Sequence, residues 1–158
     1  MKGYGVEIVD SIEDLAGLDA YFLESVDGNQ HVEQFKKLVK FGKPVFIDKP
    51  LACNYTDAKE IIKIAKENKV PVMSSSSLRY AKGIVDALPE DAKVVACEAF
   101  GPMNFLPDFR DYFWYGIHSA EALFKFMGSG CEKVQAFSTD KVDAGCIVTG
   151  KQIGRAHV

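Results

Sequence analysis

The alternation of apolar runs in the first half of the chain leaves few folds open to it. Residues 20–23, 45–47 and 70–73 are short, nearly continuous apolar runs, the right length for strands and too short for ordinary helices. Two stretches with helical periodicity lie between them. Val32, Phe35, Leu38 and Val39 form one stripe, with Lys36, Lys37 and Lys40 on the opposite face. Ala58, Ile61, Ile62 and Ala65 form the other. Apolar strands of this kind are expected to be buried on both faces, and strands alternating with helices predict a parallel sheet with right-handed crossovers. The punctuation agrees. Asp27-Gly28-Asn29 breaks the first run, Gly42 stands at a helix C-cap position before Pro44, and Asn54 and Thr56 are candidate caps for the second helix. A short strand at 6–9 and a short helix at 12–16 are expected upstream.

After Ser77 the pattern changes. The spacing predicts a helix over 78–88 stopped by Pro89, a strand over 93–100, and a loop over 101–111 rich in proline, glycine and aromatics. A helix follows over 118–127, with Ala122, Leu123, Phe126 and Met127 on one face, then strands over 133–138 and 145–149. Two strands and one helix close a core poorly, so a domain boundary near Ser76 and a second domain cut short are expected. Residues 152–158 are set apart as a non-native tail, because 153–158 look like the translation of a short-read sequencing adapter.

Composition narrows the function classes. The chain has 158 residues, 47% of them hydrophobic and 26% charged, with a net charge of −3 spread evenly along its length. That balance points away from nucleic acid and from a polybasic membrane anchor. No apolar run is long enough to span a bilayer, and the N-terminus lacks a signal-peptide core. Cys53, Cys97, Cys131 and Cys146 contain no CxxC pair and read as free thiols of a reducing cytosol, so a soluble cytoplasmic protein is expected. His31, His118, Cys53 and Cys131 show no metal-ligand spacing, and the serines at 74–77 lie in no GxSxG elbow.

Three motifs could carry chemistry. Gly3-Tyr4-Gly5 has the form of a phosphate-binding GxG but precedes a strand, whereas a dinucleotide turn follows a strand and opens a helix. Any such turn is therefore expected upstream of Met1. Asp48-Lys49-Pro50 ends an apolar strand, and the ligand crevice of an open parallel sheet lies at that edge. A lysine there suits proton exchange with a substrate hydroxyl, and Pro50 in the cis form would aim it into the crevice. The alternative is a solvated lysine at a strand end. His118 could relay a proton or polarise a carbonyl, with Glu121 one turn away to orient it. Its alternative is a histidine at a helix start.

Two stretches together resemble the Gfo/Idh/MocA family of oxidoreductases. One runs from Asp19 to His31, a strand and turn with a histidine opening a helix. The other runs from Gly42 to Ala52, a glycine-lysine pair and a strand ending in Asp48-Lys49-Pro50, where the family typically shows Glu-Lys-Pro. The resemblance extends over 6–151. It implies an α/β chain: a partial Rossmann-type parallel sheet, the C-terminal part of an NAD(P)-binding domain, over 1–76, then a partial α+β open-sheet domain for substrate contacts and oligomerisation over 77–151. It further implies Lys49 as the catalytic lysine near the nicotinamide, with Asp48 on the nicotinamide ribose and Pro50 beside it. Ser25, Val26, Asp27 and His31 would line the cofactor turn, and Arg79 would join the same crevice. His118 matches the family's second-domain histidine, which faces the reacting carbon.

One position departs from the pattern. Many sugar and inositol dehydrogenases of the family place an aspartate four residues before that histidine, and here Trp114 stands there. Trp114 and Tyr115 could form a flat wall for a sugar ring, with Glu121 as a further substrate contact. The resemblance implies hydride transfer between NAD or NADP and a hydroxyl carbon of a sugar or polyol, by a homo-oligomer when full length. Residues 1–158 alone are expected to be inactive. Two other functions stay open: an NAD-dependent glycosidase or related sugar-modifying enzyme without net redox change, and a non-catalytic cofactor-binding protein.

Overall fold

The computed structural model describes residues 2–87, 89, 92–103, 106–107, 111–139, 142–150 and 153–157. The chain divides into two compact units, Met1–Ser74 and Ser75–Val158.

In the first unit, strand β1 (Tyr21–Leu23), helix α1 (His31–Leu38), strand β2 (Val45–Asp48), helix α2 (Tyr55–Glu67) and strand β3 (Val72–Ser75, which leads into the second unit) follow one another. The sheet order is β1–β2–β3. β1 and β2 run parallel, with Tyr21 opposite Val45 and Leu23 opposite Ile47. This is the parallel sheet with interleaved helices that the apolar runs predict. Phe35, Ile47 and Ile61 have no exposed surface and form the centre of the core with Leu38, Val45, Ala65 and Val70. The Phe, Ile, Leu and Val side chains among them each contribute about 1.5–3 kcal/mol by leaving water. Asn54 caps α2, its side chain accepting from the Asp57 N–H at 2.9 Å. Gly42 takes the left-handed conformation (φ 66°) that ends the α1 segment, at the position the sequence marks for it.

Three local expectations differ. Residues 6–9 form no strand, since none of the described residues pairs with their backbone, and Val6 and Ile8 are exposed. A 3-10 turn, Glu13–Leu15, takes the place of the helix expected over 12–16. β1 is buried on one face rather than two: Tyr21 and Leu23 point inward, while Phe22 is 71% exposed with its ring against Phe46 (5.8 Å between centroids).

The second unit begins with a 3-10 turn, Ser77–Tyr80, and helix α3 (Lys82–Val85). They replace the single helix expected over 78–88, because the backbone at Ala81 swings to an extended ψ of 137°. Strand β4 (Cys97–Glu98), helices α4 (Asp111–Trp114) and α5 (Gly116–Met127), and strands β5 (Cys131–Thr139), β6 (Val142–Gly150) and β7 (Ile153–His157) complete it. The sheet order is β4–β7–β6–β5. β5–β6 and β6–β7 are antiparallel and β4–β7 is parallel, an α+β open sheet. The segment that the sequence sets apart as a tail thus supplies β7, whose backbone pairs with β6 although its residues lack a strand-like alternation. Leu123 and Met127 of α5 pack against Val94, Cys97 and Ala99.

Candidate active site

Parallel pairing brings the C-terminal ends of β1 and β2 to one edge of the first sheet, with the turn at 24–30 after one and the Asp48-Lys49-Pro50 corner after the other. Several of the residues assigned from the sequence meet there. Asp27 caps a 3-10 turn, Gly28–Gln30, accepting from the Asn29 backbone N–H at 3.0 Å and from its side-chain amide at 2.8 Å. The backbone hydrogen bond from Asn29 is the main reason its carboxyl lies below the usual carboxylate range; partial burial opposes it and the Asn29 side chain adds to it. The Ser25 hydroxyl donates to Gln34. Val26 is exposed.

His31, the first residue of α1, has no exposed surface. Its Nε2 lies 2.9 Å from the Ser25 carbonyl and its Nδ1 3.3 Å from the Leu51 carbonyl. The ring therefore joins the turn after β1 to the chain just beyond Pro50. Both ring nitrogens thus face main-chain carbonyls.

Asp48 ends β2 half-buried, Lys49 is half-buried, and Pro50 is buried. The Lys49–Pro50 peptide is cis. Gly28 rests directly on this corner, where a β-carbon would stand 2.8 Å from Pro50 Cγ and 3.0 Å from Cys53 Sγ.

The second constellation lies within the second unit. His118, in the first turn of α5, places Nδ1 2.6 Å from Ser76 Oγ, and Ser76 has no exposed surface. The Tyr115 ring stands edge-on to His118 (5.4 Å between centroids), and Trp114 stands edge-on to Tyr115 at 5.5 Å. Arg79 is brought to Glu121, with Nη1 3.2 Å from Oε2 and 3.3 Å from the Glu121 carbonyl. The pair is half-buried, and Glu121 engages Arg79. A cavity of about 540 Å³ opens beside His118, with Leu78, Phe100, Tyr115, Phe126 and Glu98 among the residues that line it.

Ser76 is the functional candidate that reading the sequence missed. It sits in a run of four serines, and nothing in that run points to a histidine 42 residues away. Among the described residues no group of three or more His, Cys, Asp or Glu could hold a metal ion, and no helix is long and apolar enough to cross a membrane. Cys53, Cys97 and Cys131 form no disulfide among the described residues, and burial pushes the Cys97 thiol up.

Residues 1–76 match the family model described as an oxidoreductase family with an NAD-binding Rossmann fold. A 1,5-anhydro-D-fructose reductase of Ensifer adhaerens is 34% identical over 112 residues, covering 66% of this chain and 33% of the relative. Among solved structures, a dehydrogenase (MviM) from Clostridium difficile superposes with a TM-score of 0.75 at 21% identity, covering 99% of this chain and 55% of the other. GenD2 from gentamicin A biosynthesis, solved with NAD, gives a TM-score of 0.75 at 14% identity, covering 99% and 52%. The two structural likenesses establish the fold. The chain spans about half the length of those two proteins and a third of the reductase.

Proposed function

The chain belongs to the Gfo/Idh/MocA family of oxidoreductases through the NAD-binding Rossmann part matched at residues 1–76, and on that premise we propose that the protein transfers a hydride between NAD or NADP and a hydroxyl-bearing carbon of a sugar- or polyol-like substrate. The observation that carries this reading is the corner at the end of β2. There a carboxylate, a lysine and a buried proline stand at the same sheet edge as the turn following β1. In open parallel sheets that edge is where ligands bind.

The residues present fit the nicotinamide end of a dinucleotide. Asp48 is an acceptor for ribose hydroxyls, and the turn at Ser25, Val26 and Asp27 offers a surface against which a flat ring can lie. The pyrophosphate end has no counterpart among the described residues: Gly3 lies within the 3-10 turn Lys2–Tyr4, Gly5 follows it, and neither opens an α-helix. A bound nicotinamide supplies the hydride acceptor. The protein's own part is to move the proton. As the hydroxyl carbon loses a hydride, its hydroxyl must lose a proton, and Lys49 in its neutral amine form takes it; in the reverse direction the Lys49 ammonium returns it to the carbonyl oxygen. We assign His118 to a substrate oxygen and the Trp114–Tyr115 pair to the apolar face of a sugar ring. The sugar class is supported by the name of the anhydrofructose reductase relative.

The test is a spectrophotometric screen of the natural gene product for NADH or NADPH formed with a panel of sugars and polyols. Substrate-dependent reduction of the cofactor is expected. Glycoside cleavage without net NADH would move the assignment to the redox-neutral sugar chemistry raised by Trp114. Cofactor binding without turnover across the panel would leave a binding protein.

A further inference from the structure

Ser76 lies between β3 and the turn Ser77–Tyr80, wholly shielded from solvent, and its hydroxyl has two partners. The Leu78 backbone N–H donates to Oγ at 3.2 Å, and His118 Nδ1 stands 2.6 Å away. A serine hydroxyl has one hydrogen to donate and two lone pairs. Leu78 can only donate, so it occupies a lone pair. The hydroxyl hydrogen, out of reach of water, has the Nδ1 lone pair as its acceptor. In the opposite arrangement Nδ1–H donates to Oγ, and the serine hydrogen is left unpaired in a buried space, which native structures avoid.

We propose that Ser76 is a positioning residue that fixes His118 as the neutral tautomer with its proton on Nε2. The edge-on ring of Tyr115 adds a second constraint on the tilt of the imidazole. A proton held on Nε2 makes that nitrogen a hydrogen-bond donor, suited to polarising a substrate carbonyl oxygen as it receives a hydride and to stabilising the alkoxide that forms. This consequence rests on the assignment of His118 to the substrate oxygen; the tautomer itself does not.

Long-range ¹H–¹⁵N correlation spectra of the ¹⁵N-labelled chain at about pH 8.5, above the usual histidine range, read the tautomer directly, with the His118 signals assigned from a His118→Gln variant. The expected wild-type spectrum shows Nε2 protonated and Nδ1 unprotonated. Ser76→Ala should convert it to a mixture of tautomers, and Ser76→Thr, which keeps a hydroxyl, should restore it. Protonated Nδ1 in the wild-type chain overturns the proposal whether or not the variants fold, as does an unchanged spectrum in a folded Ser76→Ala chain. An Nε2–H tautomer that depends on Ser76, found together with undiminished turnover of a His118→Ala gene product, would uphold the positioning role and remove His118 from the reaction.

Discussion

Gly28 lies so close to Pro50 that a methyl group on its α-carbon would stand 2.8 Å from the proline Cγ. The turn after β1 and the corner after β2 are therefore one packed object, and the glycine is what lets them meet. A proline ring cannot rotate aside as a long side chain can, and Cys53 Sγ closes the other side at 3.0 Å. Gly28→Ala should destabilise the chain by about 1–3 kcal/mol through overpacking. Urea unfolding measures this, with the midpoint expected to fall and the slope to stay the same.

His31 performs a related task from below. Its ring faces two main-chain carbonyls, those of Ser25 and Leu51, and the contact to Ser25 is the shorter at 2.9 Å. His31→Leu keeps bulk in the cavity but strands the Ser25 carbonyl, at a cost of about 1–3 kcal/mol. Thermal unfolding should show the loss, and amide hydrogen exchange should rise first at residues 25–31. Unchanged protection there would mean that the imidazole does not hold the turn.

Asp27 makes the same turn sensitive to acid. The Asn29 backbone N–H holds its carboxyl below the usual range. A carboxylate depressed in the folded state adds stability above its unfolded pKa, about 3.9, and that contribution disappears as pH falls through the lower, folded value. A ¹³C titration of the Asp27 carboxyl should therefore show a midpoint below that of an unfolded aspartate. Asp27→Asn should flatten the acid limb of the stability profile. A midpoint at or above the unfolded value would contradict the capping geometry.

Much of the first sheet was legible because its strands and helices bury side chains at periods that show in sequence. Phe35, Leu38, Ile61 and Ala65 fall on the expected stripes, and Gly42 ends one helical segment while Asn54 starts the next helix, as their chemistry suggests. Residues 6–9 were not legible, since an apolar run becomes a strand only if a partner backbone is there to pair with it. Phe22 misleads for a related reason: composition cannot tell which face of a strand will be covered. In the second unit the helix expected over 78–88 is interrupted by one backbone rotation at Ala81, a residue with no turn signal. The Asp48-Lys49-Pro50 corner and His118 were visible as motifs. Ser76 was not, because its meaning comes from a 2.6 Å contact formed by tertiary packing.

That the described residues include no glycine-rich turn opening an α-helix can also be put to a test. NADH titrated calorimetrically into the 158-residue chain should bind weakly or undetectably, since no glycine-rich turn opens an α-helix among the described residues to receive the pyrophosphate. Tight binding would show that the sheet edge holds the dinucleotide without such a turn.

The role given to Lys49 is tested most directly by steady-state turnover of the natural gene product carrying Lys49→Ala, measured with NAD(P) and its best substrate. If Lys49 moves the substrate proton, kcat should fall by about 10²–10⁴-fold, while cofactor binding, followed separately by fluorescence, should persist. Wild-type kcat in that variant would contradict the assignment of the β2 corner as the catalytic end of the site.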